Sequence, residues 1–343
     1  MQESSSGPLS NNGQFYVDLQ SGGSSGEASG SLDAQRLSAD QLMDALLSID
    51  FDDQDVEEIL AEAIRRSSPT IFDRAKVMLA HSSPRVRQSA AEIMGNFGLE
   101  QLSSQDTMPT SAQVHNVSYL ERTRRQAVSY MVERLNSEPD PEVLASIVAG
   151  LGRNGVSGLV EQVVGYATSE SPRLREAVAF ALPTMMSNVQ LNTSADELDE
   201  TYEMVKNTLV ELAGDPYEPV REWALFALAE MLDPAMGDKD VIDCLFGHLD
   251  ESNLEIRAEC AYGLAIRGVR DSLACVESLL GGQLDDRSQR IMVEAASALG
   301  HPSLIRSLER LYDQTDQDQG DALGPSRELI GQALERCRQA STI

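Results

Sequence analysis

The chain has 343 residues, of which 55 are acidic and 27 basic, giving a formal net charge of -28; 41% of residues are apolar and 5% aromatic. That charge, with only three lysines (Lys76, Lys206 and Lys239), argues against a basic nucleic-acid footprint or docking on an anionic membrane, and favours a basic protein or peptide partner. No apolar run approaches the roughly 18 residues of a membrane span, and the first basic residue is Arg36, so no basic region opens a signal peptide.

Residues 1–35 are rich in Ser, Gly and Asn and carry too little apolar surface to offset ordering entropy, so a disordered tail is expected there. One island, "QFYVDLQ" at 14–20, groups Phe15, Tyr16, Val17 and Leu19 and reads either as a short docking motif or as an incidental cluster. Residues 36–68 are expected to form N-terminal capping helices. "LSADQLMDALLSID" opens on Ser38 as N-cap and places Leu42, Leu46 and Ile49 at i, i+4 and i+7. "QDVEEILAEAIRR" puts acids first and arginines last, as a helix dipole prefers. No alternating strand pattern stands out, and the expected class is all-α.

From residue 69 to 340 the chain repeats itself. "VRQSAAEIMG" from 86, "VLASIVAGLG" from 143, "LREAVAFALP" from 174, "VREWALFALA" from 220, "IRAECAYGLA" from 256, "IMVEAASALG" from 291 and "SRELIGQALE" from 326 align on a helix start. The long intervals contain insertions at 99–116 and 187–200. Counting the first residue of each segment as zero, positions 0, 4, 5, 7 and 8 are almost all small or apolar and fall on one helical face. Each unit has room for a preceding helix, such as "PTIFDRAKVMLA" or "TYEMVKNTLVELA". A two-helix unit that buries its face only by stacking on the next is an α-solenoid.

The segments "SPRVRQSAAEIMG", "DPEVLASIVAGLG", "SPRLREAVAFALP", "EPVREWALFALA" and "LEIRAECAYGLA" resemble the HEAT-repeat family, in particular the bacterial subtype also found in phycobilin lyases. The resemblance implies a right-handed α-α superhelix of about seven helical hairpins. It also implies that the arginines at position 1 (Arg87, Arg175, Arg221, Arg257 and Arg327) form a structural ladder with loop acids of neighbouring repeats. Leu144 and Met292 interrupt that ladder. Pro183, at position 9, is expected to kink or end its helix near residue 182, because proline removes one hydrogen bond and clashes with the preceding turn.

Position 6 lies at about 240° on a helical wheel, opposite the core face. Three successive repeats carry an aromatic there: Phe180, Phe226 and Tyr262, with Trp223, the only tryptophan, one turn before Phe226. In the resembled family the second helix of each pair lines a concave surface. These rings would then form a row in a groove flanked by Glu176, Glu222, Glu230 and Glu259, suited to a protein segment bearing apolar and Lys or Arg side chains. The alternative is that the rings are buried between repeats or covered by the tail or an insertion.

The histidines His81, His115, His248 and His301 share no metal-ligand spacing with one another or with the cysteines, and no phosphate-loop, nucleophile-elbow or HExxH motif occurs. Cys244, Cys260, Cys275 and Cys337 form no CxxC pair and read as free thiols of a cytoplasmic protein. "DQTDQDQGD" at 313–321 lacks the register of a calcium loop: the twelfth position counted from Asp316 is Arg327. The expectation is a non-catalytic interaction scaffold or adaptor with no cofactor or metal. Its alternatives are an immunity or inhibitor protein neutralising a basic toxin or nuclease, and a phycobilin-lyase-like handler of chromophores.

Overall fold

The helix starts follow from their capping residues. Ser38 accepts from the Gln41 N–H while the Gln41 side chain accepts from the Ser38 N–H, a reciprocal capping box. Asp140, Asn253 and Asp285 each accept from backbone N–H groups of the first turn. Pro69, Pro84, Pro141 and Pro172 open helices, where a missing N–H removes no helical bond. The computed structural model describes residues 33–48, 53–99, 101, 111–189, 195–232, 238–315 and 324–340. Its contacts divide the chain into two units, Met1–Asp33 and Ala34–Ile343. The tail through residue 32, with its Phe15–Leu19 island, and the Asp316 loop lie outside the described residues.

Helices α1 (Ala39–Leu47) and α2 (Asp53–Arg66) come first. Among the described residues seven helical hairpins follow: α3 (Pro69–Met78) with α4 (Pro84–Asn96), α5 (Ser111–Leu135) with α6 (Pro141–Arg153), α7 (Val160–Val164) with α8 (Pro172–Val189), and α9 (Ala195–Ala213) with α10 (Glu218–Phe226). They continue as α11 (Lys239–Gly247) with α12 (Leu254–Ile266), α13 (Leu273–Leu280) with α14 (Asp286–Leu299), and α15 (Ile305–Gln314) with α16 (Arg327–Ala340). No strand occurs among the described residues, and the fold is an all-α solenoid. The insertions are shorter than the sequence reading made them. Helix α5 starts inside the first, at Ser111, while α8 runs to Val189 and α9 begins at Ala195 within the second.

The core is the stack of second helices α4, α6, α8, α10, α12, α14 and α16, each packed mainly on the next. Position 4 is fully buried in every repeat: Ala90, Ile147, Val178, Ala224, Cys260, Ala295 and Ile330. The helices touch backbone to backbone where position 9 of one repeat meets position 7 of the next. A Cβ added to Gly150 would lie 2.9 Å from Gly95 Cα, one on Gly152 2.5 Å from Ala181 Cβ, and one on Gly263 2.7 Å from Ala229 Cβ. Each contact needs a glycine on one side, because no larger residue fits at that separation. At two of these three contacts the helix ends are then stitched by a polar side chain at position 11. Asn154 donates to the Gly95 and Gly150 carbonyls. Arg267 donates to the carbonyls of Leu228, Ala229, Leu232 and Gly263. Those first three carbonyls belong to a π-helical turn, Ala227–Met231, and its end, into which α10 runs directly. A wider turn leaves carbonyls out of the α pattern, and Arg267 is the donor that takes them up.

The arginine ladder forms in three of its five expected places. Arg87 pairs with Glu138 at 2.7 Å, Arg175 with Asp215 at 2.6 Å and Arg221 with Glu251 at 3.2 Å. Each acid lies in the loop five residues before the next repeat's starting position. Each arginine also donates to carbonyls of its own preceding loop, such as His81 and Ser82 for Arg87. Arg257 departs from this pattern. The corresponding acid, Asp286, is already the first residue of α14, and Arg257 instead donates to Leu249 O. Arg327 departs too: it is the first residue of α16 rather than one turn in, and its guanidinium lies over the Tyr312 ring at 4.3 Å. Ser326, counted with the core face, precedes that helix and caps it by accepting from Leu329 N–H. Where Leu144 replaces the arginine, the matching loop position is Ser169, so both halves of the rung are absent together.

Pro183 does not end its helix: α8 continues through it to Val189. The lost hydrogen bond is a single one, and the ring is buried against the neighbouring helices, whose packing holds the segment. All four cysteines are free thiols, Cys260 and Cys337 buried and Cys244 and Cys275 half-buried. Burial pushes the Cys244 thiol up to about 11.

Candidate functional site

Positions 2, 3, 6 and 10 of a second helix lie within about 100° of one another on the side away from the core. In α8 they supply Glu176 and Phe180; in α10 and its π turn, Glu222, Trp223, Phe226 and Glu230; in α12, Glu259 and Tyr262. All eight sequence-predicted site residues therefore share one strip across three repeats, but their arrangement differs from a simple row of exposed rings.

Trp223 is the centre. Its indole meets Phe180 edge to face with centroids 4.9 Å apart and meets Phe226 in the same manner at 5.8 Å. Phe180 and Trp223 are half-buried, whereas Phe226 is only 6% exposed, so the expectation that it faces outward is corrected. It is covered because Trp223 lies on one side and the guanidinium of Arg287, from α14, lies over its ring at 5.3 Å. Phe180 is covered in the same way by Arg153, from the end of α6, at 5.1 Å. Tyr262 does not continue the ring contacts; it packs at the edge of the C-terminal core, and burial, with Glu294 and Glu230 nearby, pushes its phenol pKa up.

The acids split into two sets. Glu230 and Glu259 share one cation: Arg287 Nη2 is 3.3 Å from Glu230 Oε1 and Nη1 is 2.5 Å from Glu259 Oε1. Glu259 is 3% exposed, and neither of its oxygens accepts an aligned hydrogen bond, so its contact with Arg287 is an ion pair of poor directionality. Burial holds the Glu259 carboxyl well above the ordinary carboxylate range, repulsion from Glu230 adds to this, and Arg287 offsets only part. Burial opposes the charge on Arg287 as well, but Glu259 and Glu230 outweigh it and raise the guanidinium pKa. Glu176 and Glu222 form the second set, half-buried and at the same position of successive repeats. Among the described residues neither has a cation within ion-pair distance. Burial raises the Glu176 carboxyl, with Arg173 opposing and Glu142 adding. Burial also raises Glu222, and Glu255 and Glu218 add to it. The strip is thus an aromatic floor with two partly dehydrated carboxylates at one end and an occupied acidic pocket at the other.

Sequence reasoning missed Arg153 and Arg287. Arg287 had a signal: it is a cation on the first turn of its helix, where the dipole favours acids. Arg153 had none, since a basic residue in the last helical turn is ordinary. Among the described residues no group of three or more His, Cys, Asp or Glu side chains is arranged to hold a metal ion, and no helix of the described residues is long and apolar enough to cross a membrane.

A family model described as HEAT repeats matches residues 206–291. The protein YibA of Escherichia coli K12 is 27% identical over 185 residues, and the chain spans about half the length of this curated relative, 54%, with 53% of its own. The X-ray structure of YibA superposes with a TM-score of 0.57 at 19% identity, over 89% of this chain and 94% of that one. A mutant of Kap121p gives a TM-score of 0.54 at 14% identity, over 90% of this chain and 35% of that one. The complex of CpcE and CpcF of phycocyanin lyase from Nostoc reaches only 0.45 at 14% identity, over 92% of this chain and 100% of that chain. With seven stacked hairpins among the described residues and second helices meeting at small residues, the chain is an all-α solenoid whose residues 206–291 match the HEAT-repeat model.

Proposed function

We propose that the protein is a non-catalytic interaction scaffold that binds a basic segment of a partner protein along the strip formed by α8, α10 and α12. A HEAT-repeat scaffold supports a protein-interaction role in general, but the fold does not choose the partner. The observation that carries the finer reading is the pair Glu176 and Glu222. Both are partly dehydrated, both are raised in pKa by burial and neighbouring acids, and they flank the Phe180–Trp223 contact without a cation of their own among the described residues. A lysine or arginine arriving there would relieve the repulsion and gain a ring face.

Co-purification from a native lysate tests this, with wild type compared against Glu176→Gln plus Glu222→Gln. The expected result is a partner recovered by the wild type and lost, or retained about tenfold less tightly, by the double variant. Equal recovery would overturn the reading. The net charge of -28 supports a second form of the same reading, an inhibitor of one basic toxin or nuclease. Very tight, salt-sensitive binding to a single protein would select it over a scaffold with several weaker partners.

A further inference from the structure

Arg287 is placed for the groove rather than for its own helix. It sits on the first turn of α14, beside the Asp285 N-cap and Asp286, where the positive end of the helix dipole disfavours a cation. From there its side chain reaches the two preceding repeats. The planar guanidinium covers the Phe226 ring and meets Glu230 in the π turn and Glu259 in α12. An aromatic face beneath and carboxylates on two sides are the recognition elements that suit a guanidinium rather than a spherical ammonium. The two ends of the pocket differ in depth. The Glu259 side chain is 4% exposed, whereas that of Arg287 is 45% exposed. The acid is held in the core stack, and the cation is laid in from the solvent side.

We propose that Phe226, Glu230 and Glu259 form a guanidinium-binding site of which Arg287 is the resident ligand, and that an arginine of the bound segment takes its place. This deepens the basic-segment reading above and rests on it. Exchange of one guanidinium for another leaves Glu259 covered throughout, which simple withdrawal of Arg287 does not, because a bare buried carboxylate is strongly disfavoured. Arg287 thereby acts as a built-in competitor. A single arginine gains little by displacing it, and a segment that also supplies a cation to Glu176 and Glu222 gains enough. The partner chemistry is therefore an arginine accompanied by a second basic residue.

The test uses the full chain with Arg287→Ala, and N-ethylguanidinium and ethylammonium as probes. The readouts are the thermal midpoint and the emission of Trp223, the only tryptophan and a direct neighbour of Phe226. The variant is expected to bind N-ethylguanidinium saturably and about tenfold more tightly than ethylammonium, since only the planar ion pairs with both acids. The wild type is expected to show no saturable response over the same range. Equal responses to the two ions, or the same response in both proteins, would overturn the site. If Arg287→Ala does not fold, Arg287→Lys retains the charge without the fork, and N-ethylguanidinium must then compete with the lysine; failure to do so also overturns it. A captured partner should bind Arg287→Ala about fivefold more tightly than wild type, because the competitor is gone; weaker or equal binding removes the exchange. Saturable probe binding with unchanged partner recovery by the Glu176 and Glu222 double variant would retire the basic-segment reading and leave the pocket. Partner loss in the double variant without probe binding would retire the pocket alone.

Discussion

On the ladder edge, Glu138 accepts from both Arg87 and Arg134, and Asp215 accepts from Arg175 and from the Tyr217 N–H. On the strip, Glu176 and Glu222 have no such partners among the described residues, and Glu259 has there one cation shared with Glu230. Carboxyl groups of one chemistry are therefore held in opposite states. The Arg175 hydrogen bond holds Asp215 below the usual carboxylate range. Burial opposes ionisation of Glu138, but its arginines and the Asp140 N–H outweigh that and hold it low as well. Along the groove burial prevails, and Glu176, Glu222 and Glu259 are all raised. The ladder has its counter-charges built in and contributes to holding repeats together. The strip keeps an electrostatic deficit among the described residues.

The largest expected effect tests the ladder side. Arg87→Ala leaves Glu138 buried with one cation fewer and should cost about 3 kcal/mol in urea denaturation, since breaking a buried pair strands a charge. A loss under about 1 kcal/mol would mean that the ladder is no more structural than the groove. Next, Glu176→Gln plus Glu222→Gln should weaken partner binding about tenfold while leaving stability unchanged or raising it by about 0.5 kcal/mol, since it removes repulsion between dehydrated acids. A destabilised double variant would show these acids to be structural after all. Arg257→Ala should then cost only about 1 kcal/mol, the worth of a hydrogen bond to Leu249 O without a buried acid behind it. A cost equal to that of Arg87→Ala would restore Arg257 to the ladder.

The pH profile is the subtlest measurement, because the two regions act with opposite sign. Glu138 and Asp215 have depressed folded pKa values, so their contribution is complete above the unfolded carboxylate pKa and is lost as pH falls through the folded value. Glu176, Glu222 and Glu259 have raised folded values. Between the unfolded and folded pKa the folded state binds more protons, so stability declines as pH rises through that window. Midpoints measured across pH should peak on the acid side of neutrality, and the upper limb should flatten in the Glu176 and Glu222 double variant. A peak at neutral pH in both proteins would contradict the raised groove acids.

Periodicity made the core legible. A repeat aligned on one residue predicts which positions face the neighbouring helix, and position 4 is buried from Ala90 to Ile330 because side-chain direction along a helix is a local property. The Ser38 cap and the Arg87, Arg175 and Arg221 rungs were legible for the same reason: each depends on residues at fixed offsets from a helix start. Where a start moves, the inference fails. Arg257 loses its rung because α14 begins early enough to take Asp286 into its first turn, and Arg327 lies in the last of the described repeats, where no following loop supplies an acid.

The site was legible as a strip but not as a constellation. An aromatic at position 6 in three repeats identified the face that carries these side chains, yet the structure centres the rings on Trp223 at position 3, buries Phe226 and, among the described residues, leaves Tyr262 outside the ring contacts. The pattern within a helix determined which side chains point away from the core, and so by itself specified an all-α stack with an acidic, aromatic strip. Which acids are satisfied and which are not was decided only by tertiary structure. The cation that matters, Arg287, arrives from a helix two repeats beyond Phe226, and burial and distance across helices, which set its worth, have no counterpart in sequence spacing.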